Sequence, residues 1–161
     1  MGLIAEYLLI DDAQLTELVE SDAPDELAIE WAEDDDARRE DLDKLWDALH
    51  VVLTGQTSSD PVEGHPLSEA IIGVETLGDE ESFVAIVRAT DVPRLTEALR
   101  AVDVEQIVRA LDVPESVREA TYPSGIRCDG IESALAGTFA LLLAFYERAL
   151  AAGDHVVVSI L

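Results

Sequence analysis

Asp41-Leu42-Asp43-Lys44-Leu45-Trp46-Asp47-Ala48-Leu49-His50-Val51-Val52-Leu53-Thr54 is the most strongly patterned stretch of the chain. Its apolar residues Leu42, Leu45, Trp46, Leu49, Val52 and Leu53 fall at i, i+3, i+4, i+7, i+10 and i+11. That spacing predicts an amphipathic helix over 41–54. Gly55 follows where a left-handed C-terminal cap is wanted. A second stripe, Leu135, Phe139, Leu142, Leu143, Tyr146 and Leu150, is widened by Ala140, Leu141 and Phe145, which predicts a helix buried on more than one side. The simplest fold has the two stripes facing each other or a common sheet, with the carboxylates left to water.

Outward from the first helix, Leu3–Ile10 reads as a strand, and Asp11 with Gln14 has the form of a capping box opening a helix with Leu15, Leu18 and Val19. Pro24 ends the break after it, and Asp25–Trp31 reads as a short helix. The run Glu33–Glu40 reads as solvated surface. Downstream, Gln56–Pro66 lacks periodicity, and eleven residues is long for a loop in a compact domain, so it is a candidate functional loop. Leu67–Leu77 is open between helix and strand. Phe83–Ala89 reads as a β-branched strand. Helices then start at Asp91, at Asp103 (with Gln106) and at Asp112 (with Glu115), and Tyr122-Pro123-Ser124-Gly125 marks a turn. Asp129 with Glu132 opens the last helix, Gly153 closes it, and His155–Leu161 reads as a terminal strand. The expected architecture is a single α+β domain over 1–161, helix-rich, with a small mixed sheet of about four strands that includes both chain termini.

The chain has 161 residues, 35 acidic and 10 basic, for a net charge of −25, and 48% of it is apolar. That apolar content is too high for an acidic disordered tail, and the length suits one domain. Nucleic-acid binding needs a basic footprint that ten scattered cations do not supply. An anionic membrane surface is disfavoured for the same reason. The longest uncharged run, Ser133–Tyr146, has fourteen residues, short of the roughly 20 that span a bilayer. Cys128 is the single cysteine, which excludes an intrachain disulfide and points to a reducing compartment. With no basic leader before the first apolar run, the expected location is the cytoplasm.

No phosphate-cradling glycine loop, nucleophile elbow, zinc-protease motif or calcium loop is present, and no cofactor is expected. Three constellations remain. Asp43, Asp47 and His50 share one flank of the first helix beside Trp46, a spacing that could serve proton transfer or hold a divalent cation, although the polar rim of a core helix is the commoner arrangement of such residues. His65-Pro66 with Asp60 and Glu63 lies in the long loop, where histidine is a candidate ligand-binding group and proline an ordinary turn stiffener. Tyr122, Ser124, Arg127 and Cys128 cluster near one turn, but acidic surroundings raise a thiol pKa, which favours a structural role. Trp31 and Trp46 read as core residues.

Several of these segments resemble the YfbM-like bacterial family. They are Met1–Leu8, Leu42-Asp43-Lys44-Leu45-Trp46-Asp47-Ala48-Leu49-His50 continuing to Gly55, Pro66-Leu67 with Ala70–Gly73, Tyr122-Pro123, and the helix through Phe145-Tyr146. The resemblance implies an α+β fold and a bacterial source but no assigned activity. It draws attention to Asp43, Lys44, Trp46, His50 and Gly55. Two functions from different classes follow. One is a non-catalytic acidic module, of immunity or regulatory type, that engages a basic protein partner, with Lys44, Trp46, His50, His65 and Tyr122 as binding candidates. The alternative is a hydrolase, metal-assisted or not, centred on Asp43, Asp47 and His50 with Lys44 or His65 assisting; it requires a concave pocket beside Trp46. A structural, salt-tolerant domain with no pocket is the third reading.

Overall fold

β1 (Ala5–Ile10) and β5 (His155–Ile160) lie side by side in the middle of the sheet, with Tyr7 opposite Val158. The computed structural model describes residues 3–77, 82–110 and 131–161. The expected helix start at Asp112, the Tyr122–Cys128 cluster and the Asp129 cap lie outside the described residues. The sheet has five strands in the order β2–β1–β5–β4–β3, where β2 is Arg39–Asp41, β3 Glu75–Thr76 and β4 Phe83–Val87. Every pairing is antiparallel. The α+β class and the place of both terminal segments match the sequence expectation; among the described residues the strand count is five, against about four expected, and the sheet is antiparallel throughout and not mixed.

Both faces of the central strands are buried apart from the half-buried Glu6, which is why they are mostly apolar, with His155 and Ser159 as the buried polar exceptions. Ala5, Tyr7, Leu9, Val156, Val158 and Ile160 point to one side. There they meet α3 (Trp46–Thr54), α4 (Pro66–Ile72), α5 (Val92–Arg100), α6 (Val104–Ala110) and α7 (Ile131–Ala152). Leu8, Ile10, Val84, Ile86 and Val157 point to the other, against α1 (Asp12–Glu20) and α2 (Pro24–Asp34). The two leucine stripes therefore share the larger layer. Along α7, Leu135, Phe139, Leu142, Phe145, Tyr146 and Ala149 are buried while Ala140 and Leu141 face outward. The helix is thus buried on one broad face, not on several sides. Its length and composition would suffice to cross a membrane; here that face packs on the sheet.

Local chemistry sets the boundaries. The Asp11 carboxylate accepts the Gln14 N–H at 2.9 Å and the Gln14 side chain accepts the Asp11 N–H at 3.2 Å, completing the capping box of α1. The expected helix over 41–54 begins later, at Trp46. Leu42 still belongs to the strand ladder, its N–H bonded to the Ala5 carbonyl. The Asp41 side chain then accepts the Asp43 N–H, Asp43 sits at φ +51°, and a single 3-10 turn over Asp43–Leu45 leads into α3. Leu42 is buried from a strand end and fits the helical period by coincidence.

The charge run also departs from a purely solvated surface. Its last residues form the edge strand β2, which pairs Arg39 with Leu8 and Glu40 with Tyr7. A short charged edge of this kind resists pairing with another chain. Leu67–Leu77 resolves into both alternatives, with α4 ending at Gly73 and β3 following.

Candidate functional site

α3 is enclosed from Trp46 to Leu53, and two polar side chains go into the interior with it: Asp47, 3% exposed, and His50, 0% exposed. Buried polar groups must find partners, and these two find them on the loop and helix that follow. The Ser58 N–H donates to Asp47 Oδ1 at 2.9 Å. His50 Nδ1 lies 2.7 Å from the Gln56 carbonyl oxygen. A carbonyl only accepts, so Nδ1 carries the proton and the neutral ring leaves Nε2 as an acceptor. The Ser68 hydroxyl is 2.8 Å from Nε2 and donates to it. Thr54 Oγ1 adds a bond from the Gln56 N–H at 3.2 Å. Asp47, His50 and Thr54 together pin the start of the long loop to α3.

Burial is the largest influence on His50 and lowers its pKa, with a smaller push the same way from His65; the Gln56 carbonyl and the Asp47 charge work against it. The ring is therefore neutral at pH 7. α4, which carries Ser68, is held by two tyrosines. Tyr7 donates to the Ile71 carbonyl at 2.6 Å and Tyr146 to the Ala70 carbonyl at 2.9 Å. Both phenols are buried, and desolvation pushes their pKa values up, so they remain protonated donors. Gly73 closes α4 against β4: a Cβ there would stand 2.6 Å from Ala85 Cβ.

The loop, α4, Trp46 and the β3–β4 edge line an open-mouthed pocket of about 750 Å³. Trp46, Ile72, Phe83 and Ile160 supply apolar wall, and the exposed side chains of Leu3 and Val74 extend it outward. Ser58, Ser59, Ser68 and Thr76 supply hydroxyls. Both charged residues among the described lining are carboxylates: Glu63, exposed, and Glu69, which Arg94 holds at 2.6 Å. Trp46 is fixed by donating from Nε1 to the Leu3 carbonyl at 3.1 Å.

The sequence candidates distribute unevenly around this pocket. Trp46 forms its wall, and His50 stands behind Ser68. Asp43 and Lys44 are exposed on the 3-10 turn and do not join Asp47 and His50, because the helix on which all were expected to share a flank starts only at Trp46. Asp47 is not left to water. His65 is the N-terminal cap of α4, its Nδ1 accepting the Leu67 N–H at 3.3 Å, and Asp60 is exposed. Tyr122, Ser124, Arg127 and Cys128 lie outside the described residues. Trp31 packs half-buried on the opposite face of the sheet. Ser68, Glu69 and Phe83 were not singled out from the sequence. Among the described residues, no group of three or more His, Cys, Asp or Glu side chains is placed to hold a metal ion.

The fold and this site define a one-domain α+β protein with an apolar, acid-lipped pocket between a long loop and a short helix. The chain belongs to the family described as a domain of unknown function (DUF1877), whose model matches residues 1–159. It is 27% identical over 160 residues to protein YfbM of Escherichia coli (strain K12), covering 96% of each chain. It also matches the crystal structure of that protein of unknown function, YfbM from Escherichia coli, with a TM-score of 0.74 and 25% identity over 98% of this chain and 99% of the other. The kinship expected from the Leu42–His50 block is thereby shown.

Proposed function

We propose that this protein is a binding module whose pocket beside Trp46 receives a cationic, partly aliphatic side chain from a basic protein partner. The observation that carries this reading is the pocket lining: apolar walls for a side-chain stem, and carboxylates as its charged groups. Glu69 already holds Arg94, so Glu63 at the lip is the carboxylate offered to an incoming cation. The net charge of −25 would steer a basic partner towards the molecule and accelerate encounter. Every arginine among the described residues is engaged with a carboxylate, as in Arg38–Asp154, Arg88–Glu75, Arg100–Glu147 and Arg148–Glu40. That leaves little basic surface for an anionic partner such as nucleic acid.

The test is fluorescence anisotropy with labelled peptides that carry Lys or Arg beside Leu and Val, matched with peptides in which the cations are replaced by Glu. The basic peptides should bind, lose affinity between 50 and 300 mM salt on the order expected for screened charges, and weaken in Glu63→Gln. Equal binding of the acidic peptides, or binding indifferent to salt and to Glu63→Gln, would overturn the reading.

A further inference from the structure

Ser68 in the pocket wall and the buried His50 directly behind it form a pair that a binding function does not need. Ser68 lines it, although the residue is only 1% exposed, and its hydroxyl points its proton at His50 Nε2 at 2.8 Å. The imidazole is held by the Gln56 carbonyl at 2.7 Å on its other nitrogen, which fixes both the tautomer and the ring plane. This is the relation between a nucleophile, a general base and an orienting acceptor, with a backbone carbonyl in the third place. The Val62 N–H donates to the same Ser68 oxygen at 3.3 Å and would favour negative charge developing there. Asp47, on the same helix one turn before His50 and itself bonded to the loop, supplies charge that favours a protonated ring.

We propose that Ser68 is a nucleophile, with His50 as its general base, and that the pocket takes carboxylic esters with an apolar acyl chain at this oxygen. Oγ forms a bond to the ester carbonyl carbon as its proton passes to His50 Nε2. The bond to the leaving alkoxide then breaks as His50 returns that proton to it. Water, deprotonated by His50, next attacks the acyl-serine and releases the carboxylic acid, regenerating the Ser68 hydroxyl. Leu3, Ile72, Val74 and Phe83 give the acyl chain its wall. Burial keeps the imidazole neutral and ready to accept a proton at pH 7. This goes beyond peptide binding and does not depend on it.

The experiment is labelling of the intact protein with phenylmethanesulfonyl fluoride, in which Oγ bonds to sulfur, fluoride leaves and His50 takes the proton. Intact mass and peptide sequencing should find one adduct, on Ser68. Its rate should rise with pH through a midpoint below 6.5 and fall about 100-fold or more in His50→Gln. Ser68→Ala should take no label, with far-UV circular dichroism confirming that both variants fold. If either variant does not fold, the wild-type protein decides: selective modification of Ser68 in the native state, abolished by prior unfolding in urea, supports the assignment. Absence of an adduct, spread of the label over other serines, or equal rates in native and urea-unfolded protein would overturn it. Loss of labelling together with intact binding of the basic peptides would refute the nucleophile and leave the binding reading standing; the reverse result would do the opposite.

Discussion

Gly73→Ala tests how tightly the structure fixes the helix that carries Ser68. Gly73 ends α4 at φ +82° and ψ 176°, a region of backbone space that is essentially restricted to glycine. Forcing alanine into it costs about 1–3 kcal/mol. The new methyl would also stand 2.6 Å from Ala85 Cβ, a short, rigid group on a central strand. Relief requires α4 or β4 to shift, an overpacking cost of about 1–3 kcal/mol. Together the two amount to roughly 2–6 kcal/mol, a large part of the 5–15 kcal/mol that typically holds a domain together.

Gly55→Ala is the control. Gly55 ends α3 at φ +78° and ψ 3°, and nothing lies within 4 Å of a Cβ there. Only the left-handed backbone cost of about 1–2 kcal/mol remains. Urea unfolding followed by tryptophan fluorescence and far-UV circular dichroism at 25 °C gives both values. Gly73→Ala should lose at least about 1 kcal/mol more than Gly55→Ala, and adding Ala85→Gly to Gly73→Ala should recover part of the steric share through a favourable coupling. If Gly73→Ala costs no more than Gly55→Ala, or the double variant shows no coupling, the close approach of α4 to β4 is not a constraint and the reasoning fails.

Two further outcomes follow from the same framework. Tyr7→Phe removes the buried donor to the Ile71 carbonyl and should destabilise by about 1–3 kcal/mol in urea, because that oxygen is left without a partner; a loss below about 0.5 kcal/mol, the range of an ordinary surface change, would count against the anchoring role. His50 has a folded pKa below its unfolded value, so the unfolded chain binds more protons as pH falls. Its contribution is present above about pH 6.5 and is lost as pH falls from there through the depressed folded value. Urea midpoints measured between pH 7.5 and 5.5 should therefore decline more steeply in the wild type than in His50→Gln, and parallel slopes would refute the buried neutral imidazole.

Much of the scaffold is written locally. The largely apolar runs at 5–10 and 155–160 are what strands buried on both faces require. The Asp11–Gln14 pair marks a helix start by a reciprocal hydrogen bond between near neighbours. Gly55 and Gly153 stand where helices end in left-handed conformations. These features depend on residues a few positions apart, so the sequence displays them. The total charge, with its bearing on partners, is equally a property of composition.

Pairing across the chain decided the rest. Whether Arg39–Asp41 forms an edge strand depends on β1 lying beside it, and no apolar pattern in the segment announces that. Leu42 fits a helical period yet enters the core from a strand end, because periodicity records which side is buried and not which backbone carries it there. The meeting of His50 with Ser68 spans eighteen positions and a loop without periodicity, and it exists because Tyr7, Tyr146 and the glycine at 73 hold α4 against the sheet. Sequence alone determined the α+β class, the terminal strands and most helix ends. Tertiary structure alone turned Asp47 and His50 inward and opened the pocket beside Trp46, since the direction of a polar side chain is set by which partners the packed elements bring within hydrogen-bonding reach.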